Sequence, residues 1–189
     1  MRTAFKEWAV ICQALGRGRQ SLILRKGGIA ETGGEFGVEQ RRFWLFPTYL
    51  HQKESSLRPE AHELLRQVES EKPTSGVIRI EHFVEVAGIY HLHDMVGALR
   101  LFDLHLWTNE TVHARFTYRQ PGLHVLAVRV FRAASVIELP DNEYYAGCKS
   151  WLELAEDLPT EGATPVLHDE AFRQVMQSLE SRLNPTAAV

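Results

Sequence analysis

Guanidinium and ammonium groups are the side chains that grip phosphate, and in this chain they gather early. Between Met1 and Arg42 there are eight basic residues and four acidic ones, although the 189-residue chain as a whole has a formal charge of −3. Arg17, Arg19, Arg25 and Lys26 fall close together, followed by Gly27, Gly28, Gly33, Gly34 and Gly37. Glycine lets a ligand approach backbone N–H groups, so a phosphate has both charge and donors to meet there. Trp44 and Tyr49 come next and offer flat faces on which a base stacks, worth roughly 1–3 kcal/mol per base. The expectation is a ligand site with Arg17, Arg19, Arg25 and Lys26 on the phosphate and Trp44 or Tyr49 under the base. The competing expectation for the same residues is ordinary: solvated turn charges and packed aromatics. Trp107, Tyr118 and Trp151 are further flat side chains. Arg115, Arg119, Arg129 and Arg132 extend the basic set, but a strand would set Arg129 and Arg132 on opposite faces.

His91 and His93 lie two apart, on one face if the segment is a strand, with Asp94 adjacent. Imidazole and carboxylate suit zinc and related ions, which makes His91, His93 and Asp94 the alternative, metal-binding set. A His-x-His pair falls short of the three or four ligands that a closed site needs, so the leading expectation is no metal and no cofactor. Cys12 and Cys148 stand far apart in no metal-binding spacing and read as reduced structural thiols. The P-loop, GxGxxG and GxSxG patterns are absent from the sequence, which sets aside nucleotide-cofactor folds and α/β-hydrolases.

The elements that must position these groups follow from periodicity. Phe5, Trp8, Ala9, Cys12 and Leu15 recur at helical spacing and predict a first helix, closed by Gly16 and Gly18. Leu22 to Arg25 predicts a strand, and Phe43 to Leu50 a second one at a sheet edge, because Pro47 cannot donate to a ladder. Pro59 opens a helix through Val68. Val77 to Leu92 predicts one long strand broken near Gly88, and Asp94 caps a helix running to Leu106. Leu123 to Phe131 predicts a central strand, with Ser135 to Leu139 continuing the pairing, and Trp151 to Leu154 a short helix. Phe172, Val175, Met176, Leu179 and Leu183 mark a last helix. Strands and helices do not alternate strictly, which predicts an α+β fold with a mixed or antiparallel sheet.

With 44% hydrophobic and 24% charged residues the composition is that of an ordinary globular domain. The expected layout is one α+β domain over residues 1–158, a connector over 159–166 and a C-terminal helix over 167–189 packing on the same domain. No apolar run reaches the roughly 18 residues that span a bilayer, so the chain reads as cytoplasmic with no membrane partner.

Lys6-Glu7-Trp8-Ala9, Gly18-Arg19-Gln20-Ser21-Leu22-Ile23-Leu24-Arg25-Lys26-Gly27-Gly28, Phe46-Pro47-Thr48-Tyr49 and Tyr145-Ala146-Gly147-Cys148-Lys149-Ser150-Trp151 resemble the signatures of an uncharacterised bacterial domain-of-unknown-function family, DUF1802. That resemblance spans nearly the whole chain and implies a shared fold without an activity. Trp8 to Leu15, Gly18-Arg19-Gln20 and Leu22 to Arg25, with Leu123 to Phe131 and Gly147 to Trp151 later, are more distantly similar to ASCH domains of the PUA-like superfamily. This likeness implies a partly closed PUA-like β-barrel with flanking helices, and RNA, DNA or a nucleotide as partner. Hydrolytic ASCH proteins have a lysine in the turn where this chain has Arg19-Gln20. Arginine is never deprotonated in proteins and cannot take over a lysine's proton transfer. The leading expectation is therefore a nucleic-acid or nucleotide-binding domain. A metal-dependent hydrolase or nuclease, and a protein-interaction module presenting the helix Asp169 to Leu183, are the alternatives.

Overall fold

The structure, a computed structural model, describes residues 1–26, 41–147 and 149–184. The Gly-rich segment after Lys26 and the Cys148 thiol lie outside the described residues. The chain begins with β1 (Thr3–Trp8), α1 (Ala9–Gly16), β2 (Leu22–Arg25), β3 (Arg42–Thr48), α2 (His62–Ser70) and β4 (Val77–Leu92). It continues with α3 (Met95–Leu99), α4 (Asn109–Thr117), β5 (Leu123–Pro140), β6 (Trp151–Glu153), β7 (Thr164–Pro165) and α5 (Asp169–Leu183).

All strands join one sheet in the order β2-β5-β4-β3-β1-β6, with β7 also on β5. Among the described residues only the β1–β3 pair is parallel, so the fold is α+β with a mixed, mostly antiparallel sheet. Among the described residues no ladder joins β2 to β6, so the sheet is open. The expected partly closed barrel is corrected to that extent.

Both faces of the sheet carry core, and strand alternation explains which residue goes where. Phe5, Phe43, Leu45 and Val84 face the helices in one cluster, while Ala4, Trp44, Phe46 and Phe83 fill a second. A strand buried on both sides reads as a continuous apolar run, which is why Phe43 to Phe46 shows no polar alternation. Pro47 sits in a strand flanked on both sides, not at the edge as expected. The β4 ladder on β3 covers only Arg42 to Trp44, so the proline stands where that side has already ended.

The opening part of the first expected helix and the whole of the one at Trp151 are strands, while Ala9–Gly16 is helical as expected. Thr3–Trp8 pairs with β3 and β6, and only from Ala9 does the chain coil. Trp151–Glu153 pairs with β1. Six and three residues are too few for periodicity to separate the two structures, and the ladders on β3 and β1 decide. The helix after Asp94 ends at Leu99, short of Leu106. Asp94 caps it as expected, its carboxylate accepting the Gly97 N–H at 2.7 Å. β4 is one long strand with irregularities between Ile80 and His82 and between Val86 and Gly88.

The apolar stripe of α5 lies on the chain's own core: Leu179 is fully buried, and Met176 and Leu183 pack against the larger cluster. Arg182 anchors it through Asp103 at 2.6 Å, and Arg129 pairs with Asp169. A stripe already covered is not the exposed docking face that an interaction module needs. No helix among the described residues is long and apolar enough to cross a membrane.

Candidate functional site

The four cations expected on one phosphate are divided between the two ends of β2. Arg17 and Arg19 are exposed on the turn that ends α1, where Arg17 donates to the Gln67 side chain at 2.9 Å and Arg19 to the Glu60 carbonyl at 2.7 Å. Arg25 and Lys26 leave the other end. Lys26 donates to the carbonyls of Phe116 (3.0 Å), Gly122 (2.9 Å) and Gln120, so its three donors close the end of α4, as cations do at helix C-termini. Its expected phosphate role is corrected on that ground.

Trp44 is also corrected. Its ring has 0% exposure inside the second core cluster, and its indole N–H donates to the Met1 carbonyl at 3.0 Å. No face is left for a base. Tyr49 is half-buried just beyond β3, with the Lys72 ammonium 5.1 Å from its ring centre.

Arg25 is the expected residue that meets a concentration of chemistry, at the seam between the two sheet edges. Its Nη2 donates to Ser150 Oγ at 2.5 Å, just before β6, and its Nη1 lies 3.7 Å from Glu7 Oε2 on β1. A side chain thus spans a gap that no backbone ladder bridges. The guanidinium rests 4.6 Å from the centre of the Phe5 ring. Glu7 is 4% exposed, and its other oxygen accepts the Trp8 N–H at 2.8 Å.

Arg115, on α4, approaches the same carboxylate field from the other side. Its guanidinium lies 3.7 Å from the Trp107 ring centre, and its Nη1 donates to the Leu24 carbonyl at 3.2 Å. Burial pushes Arg115 down to about 10, with Glu7 pulling it up and Arg25 pushing it down, so it remains charged at neutral pH. Trp8 packs edge-on to Trp107 at 4.9 Å, and Trp151 packs on Phe5 and Phe43 at 4.7 and 5.0 Å. The Trp151 Nε1 is buried without a hydrogen-bond partner. Sequence reasoning missed Glu7 and the role of Arg115. The one available signal was a lone carboxylate in the apolar opening strand.

The turn Arg19-Gln20 offers no proton-transfer group. Gln20 is buried, donates to the Leu22 carbonyl at 2.8 Å and accepts the Leu106 N–H at 3.2 Å, so its amide is used in holding backbone.

The alternative metal set is separated by the structure. His91 and His93 do come together, ring centres 4.1 Å apart, and His124 stacks on His91 from the neighbouring strand at 4.2 Å. Asp94 is engaged in its helix cap and does not join them. Among the described residues no three His, Cys, Asp or Glu side chains are placed to hold a metal ion. Burial first, then the neighbouring imidazole of His93 and the Lys26 ammonium, lower the His91 pKa below its ordinary value.

A second polar region lies under α1, where β4 departs from regular pairing. Ile78, Ile80 and Phe83 pack in the second core cluster, whereas Glu81 and His82, though adjacent, both line a cavity on the α1 side. The irregularity between Ile80 and His82 is what turns two consecutive side chains the same way. His82 is 4% exposed, its Nε2 has no partner, and its pKa is lowered to about 4 by burial and then by Arg132, so the ring is neutral at pH 7. Cys12 lines the same cavity, its thiol pushed up by burial and by Glu7, hence protonated and unreactive.

No curated protein matches this chain. Among solved structures it is similar to an ASCH protein of Zymomonas mobilis, at 15% identity over 94% of each chain with a TM-score of 0.42. A serine-to-alanine variant of that protein gives 12% identity over 93% of this chain and 94% of the other, with a TM-score of 0.44. A tyrosine-to-phenylalanine variant gives 13% over 93% and 96%, with a TM-score of 0.42. Likeness at that level says nothing of this chain's chemistry. The family model described as a domain of unknown function, DUF1802, matches residues 4–178, and the chain belongs to that family.

Proposed function

We propose that this chain binds a nucleic acid or a nucleotide-like anion at the seam between β2 and the β1–β6 edge. The observation that carries the proposal is the charge balance there: two guanidiniums, Arg25 and Arg115, face one buried carboxylate, Glu7. Among the described residues one positive charge is left over in a site screened from water, where an anion is attracted more strongly than at an open surface. The guanidinium fork suits phosphate oxygens, and Arg25 keeps 22% of its side chain exposed, so a ligand reaches it from solvent. Half-buried Trp151 supplies a flat face beside the charge, and its unpartnered Nε1 is a donor awaiting an acceptor. Binding without turnover is the form supported by Gln20, whose amide is spent on backbone contacts.

The test is fluorescence anisotropy of short labelled single-stranded RNA and DNA at two salt concentrations. Arg25→Ala weakens binding about 5–10-fold and reduces the salt slope by about one, the signature of a lost phosphate contact. Unchanged affinity and slope in that variant remove the site.

A further inference from the structure

The cavity at the β4 irregularity is not closed off. It shares Pro47, Tyr49, Pro73 and Arg79 with an outer cavity, and the two have volumes of about 90 and about 380 Å³. Together they form a groove within the size range of small-molecule sites. Its two ends differ in chemistry. The inner end is rich in acceptors and negative charge: Glu81, with one oxygen 3.4 Å from the Gln13 Nε2, then Glu71 and the neutral ring of His82. Arg79 also lines the inner cavity, but its guanidinium is paired with Glu138 at 3.0 Å, which offsets its charge there. The outer part is flat and apolar along Phe46, Tyr49 and Tyr145, and its rim carries Lys6 and Lys72 against Asp141.

We infer that this groove binds a small planar compound with an exocyclic amino group at one end and an anionic group at the other, the size of a nucleoside monophosphate of the amino-base class. The amine's N–H groups meet the Glu81 carboxylate, the ring lies along Tyr49, and the anion sits at the rim by Lys72. Burial keeps the Tyr49 phenol protonated, raised from its ordinary value, so it stays an uncharged wall and a donor. This site is separate from the seam and does not rest on it.

Adenosine monophosphate and inosine monophosphate test it, because they differ in having an amine or a carbonyl at the same ring position. Calorimetric titration of the full chain is expected to give adenosine monophosphate at least tenfold tighter than inosine monophosphate, with inorganic phosphate far weaker than either. Glu81→Gln, whose amide also donates, brings the ratio below threefold. Lys72→Ala weakens both nucleotides by a similar factor, and it serves as the test if Glu81→Gln fails to fold. Arg25→Ala leaves both unchanged, which separates this groove from the seam. Equal binding of the two nucleotides, no binding below about 1 mM, or loss of binding in Arg25→Ala overturns the inference.

Discussion

Glu7 and His82 are buried to the same degree, 4% exposed each, yet the fold treats them in opposite ways. Glu7 is met by opposite charge: Arg25 and Arg115 come to it from β2 and α4, and its second oxygen takes the Trp8 N–H. His82 receives no such help. Burial first, and then the like charge of Arg132, make the imidazole give up its proton. The seam is therefore a place of paired, slightly overbalanced charge, and the bulge a place of neutral, underused hydrogen-bonding capacity. Sites of the first kind draw anions, while sites of the second kind discriminate by which donors and acceptors a ligand presents.

The comparison is broken most severely by removing the carboxylate. Glu7→Gln leaves two guanidiniums facing each other without a counter-charge and is expected to cost about 3 kcal/mol of stability in urea unfolding. The fraction that still folds binds RNA more tightly, because the seam gains a net positive charge. A cost under about 1 kcal/mol, with RNA affinity unmoved, would show that Glu7 does not balance the seam.

Acid sharpens the contrast next. The His82 pKa is about 4 when folded and near 6.5 when unfolded, so its contribution is fully present above pH 6.5 and is lost as pH falls through 4. The pKa difference corresponds to roughly 3 kcal/mol. His105, fully buried and also at about 4, adds a similar loss, so His82→Gln isolates the first. Its stability should fall by about 3 kcal/mol less than that of the unsubstituted chain between pH 7 and pH 4. Equal losses would mean that His82 is protonated in the fold.

Gly16→Ala gives the smallest effect. A Cβ there would stand 2.3 Å from His82 Cε1 and 2.5 Å from Nε2, an overlap expected to cost about 2 kcal/mol. Adding His82→Ala should recover most of that cost, since the two residues share one contact. Additive losses in the double variant would place the strain elsewhere.

Much of the scaffold was legible because it depends on local signals. The cap at Asp94, the long β4 and the α5 stripe all follow from residues near them in the chain. β1 was misread as helix because Phe5 and Trp8 also fit a helical period, and its strand form rests on β3, which begins only at Arg42. The seam was half legible. Arg25 stood out as a cation, but its partners Glu7, Arg115 and Ser150 come from elements scattered along the chain, and no local pattern joins them. The groove was almost illegible: Glu81 and His82 share a face only through a register irregularity, which regular alternation assigns to opposite sides. Trp44 looked like a stacking platform because exposure cannot be read from an aromatic in a strand that is buried on both faces.

The central claim is that the anion site lies at the seam and not along the whole basic stretch. RNA anisotropy titrations of Arg25→Ala beside the double variant Arg17→Ala, Arg19→Ala, at two salt concentrations, test it most directly. The account predicts a 5–10-fold loss and a slope lowered by about one for Arg25→Ala, and changes under twofold for the double variant. A larger loss in the double variant than in Arg25→Ala would contradict it and move the site to the end of α1.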